Sequence, residues 1–265
     1  MIWRSILRLL SSLKKPHKLQ SDEVRIKIKG KIDLDGIIHG ADLPKDKPGI
    51  IICHGVGVFQ SLYVDFARYL VKHGGYRVLT FNFRGHGRNQ EHKLTLDGAL
   101  EDVENAVKYM TEKQGHKNII LIGHSLGAVM SLKYTSKIKP NTVKALVLIG
   151  CPTNFESVKR RAFMIFFFAK SFLANLDVSE IYKHLADYNS EKDIKNLENV
   201  PVCTVYGHFD EFVKYFFHQR FDKLKEMAKK TKVDVKEMQQ MDHMTTFIKE
   251  EYKKDILDWI NEHVD

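Results

Sequence analysis

Asn118-Ile-Ile-Leu-Ile-Gly-His-Ser-Leu-Gly127 is the stretch from which the rest of this chain can be placed. Asn118 to Ile122 is a short apolar run that predicts a buried strand. Gly123-His124-Ser125-Leu126-Gly127 follows at once, and Ala128 to Lys137 then reads as a helix. A strand, a tight glycine-flanked turn and a helix form the context in which a G-x-S-x-G serine stands exposed at a strand end. The glycines two residues before and two after the serine let neighbouring backbone pass close by. Ser125 is therefore the candidate nucleophile. The competing reading is a chance match, because glycine and serine are common.

Working outward, buried or alternating strands are expected at Val24–Lys29, Lys31–His39, Gly49–Cys53, Arg77–Asn82, Lys144–Ile149, Val202–Tyr206 and Val233–Met241. The first two read as an antiparallel hairpin at a sheet edge, turning at Gly30. Helices are expected at Tyr63–His73, Leu94–Lys113, Phe212–Lys229 and from about Thr246 to the end. Strands alternating with helices give an α/β fold with a mostly parallel central sheet flanked by helices. The alternation lapses over residues 152–200, which predicts an inserted helical cap between two halves of one core, 21–151 and 201–265.

Composition narrows the function classes. The 265 residues are 43% hydrophobic, enough for a full core, and carry 42 Lys+Arg against 33 Asp+Glu, a net charge of +9. Both signs are interspersed and no arginine-rich arm with aromatics occurs, so no nucleic-acid partner is expected. Cys53, Cys151 and Cys203 lie in apolar runs without C-x-x-C spacing. That fits a reducing, cytoplasmic setting and no metal site. Residues 1–20 stand apart. Trp3, Leu7 and Leu10 at near-helical spacing among Arg4, Arg8, Lys14 and Lys15 make a basic amphipathic segment too short to span a bilayer. It reads as an interfacial membrane helix over residues 1–18, a helix docked on the body, or an organelle-targeting sequence.

A serine hydroxyl needs a base, and the base an orienting acid. In an open α/β sheet these gather beyond the carboxyl ends of strands. His243 follows the last expected strand, and Asp210 lies just after Val202–Tyr206, with Glu211 beside it as a competitor. Asp242 adjoins His243 and is expected to project away from it. An oxyanion needs donors. The N–H of Leu126, just after the serine, is one, and the loop His54-Gly55-Val56-Gly57 offers Val56 as the other. A dinucleotide fingerprint is excluded there, because Gln60 stands where a third glycine is required. His54, His86 and His124 read as structural neighbours of the site.

His54-Gly-Val-Gly57, Phe83-Arg-Gly-His-Gly87, Gly123-His-Ser-Leu-Gly127, Gly207-x-x-Asp210 and Asp242-His243 occur in this order. Together they resemble the α/β-hydrolase fold from about Val24 to the end. Within it they are similar to the monoacylglycerol lipase and carboxylesterase branch, although Arg88-Asn89-Gln90 departs from the serine more usual there. The resemblance implies a serine hydrolase with a Ser125–Asp210–His243 triad, an acyl-enzyme, a helical cap and no cofactor.

The cap segment Ala162–Lys170 is apolar around most of a helix circumference, and Phe163, Phe166 and Phe167 are candidate substrate-binding residues. Core packing is the plainer explanation for such a cluster. With the basic amphipathic start, the cluster points to a medium or long acyl chain on a small-molecule ester or lipid. An acyl-thioesterase or depalmitoylase uses the same groups, carbon–carbon bond hydrolysis is a further enzymatic alternative, and a non-catalytic membrane-associated binding module is the alternative of another class.

Overall fold

The structure, a computed structural model, describes residues 20–28, 32–138, 141–152, 170, 174–197, 199–210, 233–243 and 249–264. The expected helix at 212–229, the N-terminal segment 1–18, Glu211, and Phe163, Phe166 and Phe167 lie outside these residues. The described strands are β1 (Ser21–Ile28), β2 (Ile32–His39), β3 (Gly49–Cys53), β4 (Val78–Phe81), β5 (Ile119–His124), β6 (Val143–Ile149), β7 (Val202–Gly207) and β8 (Val233–Met238). The helices are α1 (Val64–Gly74), α2 (Leu96–Lys108), α3 (Leu126–Ile138), α4 (Val178–His184), α5 (Ser190–Lys195) and α6 (Glu250–His263).

The eight strands form one sheet in the order β1-β2-β4-β3-β5-β6-β7-β8. β1 pairs antiparallel with β2 and β2 with β4, whereas the pairs from β4/β3 through β7/β8 are parallel. The chain leaves β3 on one side to form β4, then returns across it to form β5 on the other. That reversal is a topological switch point, where loops diverge and leave a crevice at the carboxyl ends of the strands. Ser125 and the loop after Cys53 meet there.

Alternate residues of the inner strands feed two apolar layers, as the two-residue period of a strand requires. Ile51, Leu79, Leu121, Leu146 and Leu148 pack with α2, α3 and α4 on one face. Ile50, Ile52, Val78, Ile120, Ile122 and Val147 pack with α1 and α6 on the other. Every residue of β3, β4, β5 and β7 is buried, which explains why they read as continuous apolar runs rather than alternating ones.

Several boundaries differ from expectation, most usefully these. The helix expected over Leu94–Lys113 starts at Leu96, because Thr95 Oγ1 caps it by accepting from Gly98 N–H at 3.0 Å, and a π-helical turn, Tyr109–Lys113, ends it. Leu94 instead forms an isolated parallel bridge with Leu176, which ties residues 174–177 to the loop after β4. The last strand ends at Met238, where Met241 N–H turns back onto the Met238 carbonyl at 3.3 Å.

Candidate active site

Ser125 sits between β5 and α3 with φ of 51°, a left-handed conformation that costs a non-glycine residue energy and is found where surrounding structure enforces it. Two glycines enforce it. A Cβ on Gly123 would stand 2.4 Å from Ala128 Cα, and one on Gly127 would stand 2.1 Å from the Cys53 carbonyl oxygen. Only glycine lets α3 start so close to β3 and β5. The Ser125 N–H donates to the Ile149 carbonyl at 2.9 Å, and its own carbonyl accepts from Ala128 and Val129 N–H. The Leu126 N–H is in the first turn of α3, where backbone donors have no intrahelical acceptor.

The next residue after Ile149 locates the base. A Cβ built on Gly150 would lie 3.1 Å from the His243 Cε1 and Nδ1 atoms and 3.3 Å from Asp210 Oδ2. His243 Nδ1–H donates to Asp210 Oδ2 at 2.9 Å. Asp210 is 1% exposed and is held by its own N–H to the Gly207 carbonyl at 3.0 Å. A carboxylate only accepts, so this bond places the proton on Nδ1 and leaves the Nε2 lone pair for another partner. The structure thus brings His243 and Asp210 together, with Asp210 rather than Asp242 at Nδ1. It sets them over the strand end beside Ser125, with no hydrogen bond between Ser125 Oγ and His243 among the described residues. Such bonds often tighten only with substrate present.

The loop after β3 shows which amide is free. Gly55 N–H donates to Tyr63 Oη at 3.3 Å, and Gly57 N–H donates to His86 Nε2 at 3.0 Å. Val56 N–H, between them, has no acceptor among the described residues. His54 Nε2 accepts from Phe83 N–H at 3.0 Å while its Nδ1–H reaches the Gly55 carbonyl at 2.7 Å, which anchors the start of the loop. A cavity of about 520 Å³ is lined by Asp35, Phe59, Gln60 and Asn82 and by neither Ser125 nor His243.

The histidines around the site are neutral. Burial lowers His86 to about 4 and drives His54 and His124 well below the usual imidazole range; the neighbouring His86 adds to the shift at His54 and His243 to that at His124. Each then has one lone pair for an N–H or O–H donor. Sequence reasoning assigned these histidines only a structural part and overlooked Tyr63 altogether. Tyr63 reads locally as the first residue of a helix, and nothing near it signals that its hydroxyl meets Gly55. The cysteines are free and buried, and burial pushes each thiol up to about 12. Among the described residues no three His, Cys, Asp or Glu side chains group to hold a metal ion, and no helix is long and apolar enough to cross a membrane.

A family model described as serine aminopeptidase, S33 matches residues 44–234. The chain belongs to this family. It is a member of the α/β-hydrolase superfamily of serine hydrolases. A Mycoplasma genitalium protein provisionally named esterase/lipase 2 is 33% identical over 129 residues, 47% of this chain and 46% of that protein. Protein phosphatase methylesterase 1 of Candida albicans is 28% identical over 109 residues, 40% of this chain and 30% of its own length. The sn-1-specific diacylglycerol lipase ABHD11 of Danio rerio is 31% identical over 116 residues, 42% of this chain and 34% of its own. The chain thus spans less than half the length of these relatives. In structure it is similar to the esterase Pf2001 of Pyrococcus furiosus, with a TM-score of 0.70, 20% identity, and 93% and 92% of the two chains covered. It is also similar to Est1E of Butyrivibrio proteoclasticus, with a TM-score of 0.70, 18% identity, and 91% and 98% covered. At these identities the likeness is one of fold.

Proposed function

We propose that this S33-family chain hydrolyses carboxylic esters through Ser125, His243 and Asp210. The observation that carries the reading is the 2.9 Å His243–Asp210 bond standing over Gly150, at the strand end that also holds Ser125 N–H. Ser125 Oγ attacks the ester carbonyl as His243 Nε2 takes its proton. The Val56 and Leu126 N–H groups receive the oxyanion, and His243 returns the proton to the departing alcohol. Asp210 holds the imidazole and stabilises its cation. Water, deprotonated by His243, then attacks the acyl-enzyme, and the acid leaves with Ser125 restored.

The substrate reading is a medium or long acyl chain. It rests on the phenylalanine-rich stretch with Phe163, Phe166 and Phe167 and on the esterase and lipase names among the relatives. The membrane contact read from residues 1–18 belongs to the same proposal: liposome flotation should weaken when they are deleted, and equal partition of both forms removes it. A fluorophosphonate probe is expected to label Ser125 in the wild type and not in Ser125→Ala; an unlabelled folded wild type ends the enzyme reading. p-Nitrophenyl esters from C2 to C16, run beside monoacylglycerols, acyl-thioesters and an amino-acyl p-nitroanilide, define the leaving group. Best activity on acetate removes the long-chain reading. A dominant thioester or anilide rate replaces the ester reading with a thioesterase or with the aminopeptidase of the family description.

A further inference from the structure

The loop that carries Val56 and the loop that carries His243 are joined by a line of buried hydrogen bonds that the proposed chemistry does not use. Gly55 N–H donates to Tyr63 Oη at 3.3 Å, Tyr63 O–H to His124 Nδ1 at 2.8 Å, and His124 Nε2–H to the His243 carbonyl at 2.9 Å. The direction of every bond is set by the two ends. A backbone N–H only donates and a carbonyl only accepts, so the phenol must pass its proton to Nδ1 and the imidazole must carry its proton on Nε2. Reversing either side chain puts two donors or two acceptors face to face.

Tyr63 and His124 are 0% and 2% exposed, so water cannot repair a broken member. The His124 ring also packs against the His243 ring, with centroids 4.7 Å apart. His124 directly precedes Ser125 in sequence. His124 is therefore bonded to the nucleophile through its backbone, while its ring meets the base's main chain and, through Tyr63, the oxyanion loop. Packing alone needs only an aromatic or aliphatic filler at either position; two polar side chains paired in a single proton order are more than a filler supplies.

We infer that Tyr63 and His124 are positioning residues, which hold the Val56 loop and the His243 main chain in register with Ser125. The inference rests on the ester-hydrolase reading above. Both side chains are buried beneath the loops they join, so their loss is expected to act on turnover and not on binding.

The test uses the full-length protein with p-nitrophenyl butyrate, with rates expressed per fluorophosphonate-titrated site and thermal melts recorded in parallel. Tyr63→Phe keeps the ring and removes the hydroxyl; kcat should fall about 10-fold with KM within twofold. His124→Leu should fall about 100-fold, and His124→Gln, whose amide N–H can still donate to the His243 carbonyl, should recover part of that loss. Wild-type kcat per titrated site in Tyr63→Phe and His124→Gln, with only the melting temperature lowered, overturns the inference and leaves the hydrolase reading intact. A KM increase at unchanged kcat also overturns it. If the wild type neither labels at Ser125 nor turns over any ester, the hydrolase reading fails first and this inference with it.

Discussion

Two buried polar regions flank the carboxyl ends of the strands, and they are built from different chemistry. Around Ser125, apart from the His243–Asp210 pair, the polar groups are neutral: His54, His86, His124, Tyr63 and backbone amides. One layer away, where residues 174–195 meet α2 and α3, they are charged. Arg84 Nε and Nη2 donate to Asp102 Oδ1 at 2.9 and 2.6 Å, Arg84 Nη2 also reaches Glu101, and Asp193 accepts from Lys133 at 3.3 Å and Ser136 at 3.0 Å. The Arg84 guanidinium opposes the burial that pushes the Asp102 carboxyl up to about 6. The difference teaches where full charges are useful. Beside a substrate carbonyl oxygen that is to become an oxyanion, neutral acceptors orient the loops and leave the field to Val56 and Leu126, while the Asp210 carboxylate faces His243, where the cation develops. Fixed charges serve as clamps where no charge has to appear.

The comparison can be broken at either region. At the Ser125 end, Asp210→Asn should lower kcat by on the order of 10³–10⁴-fold, because an amide can leave His243 with its proton on the wrong nitrogen. A loss under tenfold in a steady-state ester assay would mean that Asp210 does not orient the base. In the charged region, Asp102→Ala removes the fully buried partner of the Arg84 guanidinium and leaves it only the half-exposed Glu101. Urea unfolding should show about 3–5 kcal/mol less stability, while the folded fraction still labels at Ser125.

Acid tests His86 of the neutral region together with His39, which bonds Thr80 between β2 and β4. His39 and His86 each fall to about 4, by burial foremost, with Arg68 adding to the shift at His39. The unfolded chain, with ordinary imidazoles, binds protons first as pH drops below about 6.5. Stability is therefore fully present above that pH and is lost as pH falls toward 4, by on the order of 3 kcal/mol for each of the two. Asp102 acts in the opposite sense below about 6 and softens the decline. Thermal melts from pH 7 to pH 4 check the sign, and a protein more stable at 4.5 than at 7 would contradict neutral histidines. Smallest is Thr95→Ala, which removes the cap of α2 beside the Leu94–Leu176 bridge and should cost about 1 kcal/mol in urea unfolding, with kcat/KM within twofold.

Much of this was legible in the chain itself. The glycines at 123 and 127 could be read as a demand for close approach, and the structure supplies the neighbours, Ala128 and Cys53, that a side chain would strike. Asp210 and His243 were selected by their places after strands, which is a topological argument and needs no coordinates. Less legible was the start of α2. Leu94 fits a helical pattern as well as Leu96 does, and the Thr95 cap together with pairing to Leu176, far along the chain, takes it out of the helix. Least legible was the use of the loop amides. A glycine-rich loop shows that backbone is available to a substrate, but which N–H is left open depends on acceptors that come from Tyr63, just before α1, and from the loop after β4.

Sequence alone determined the alternation of strands and helices, the turn that lifts Ser125, and the candidate acid and base, because period and glycine placement are local properties. Tertiary structure alone decided that β3 lies between β4 and β5, that Val56 keeps its N–H open while Gly55 and Gly57 do not, and that His124 binds the main chain of His243. Those outcomes depend on hydrogen bonds between groups as much as 119 residues apart, and a buried donor takes whichever acceptor the packed core brings to it.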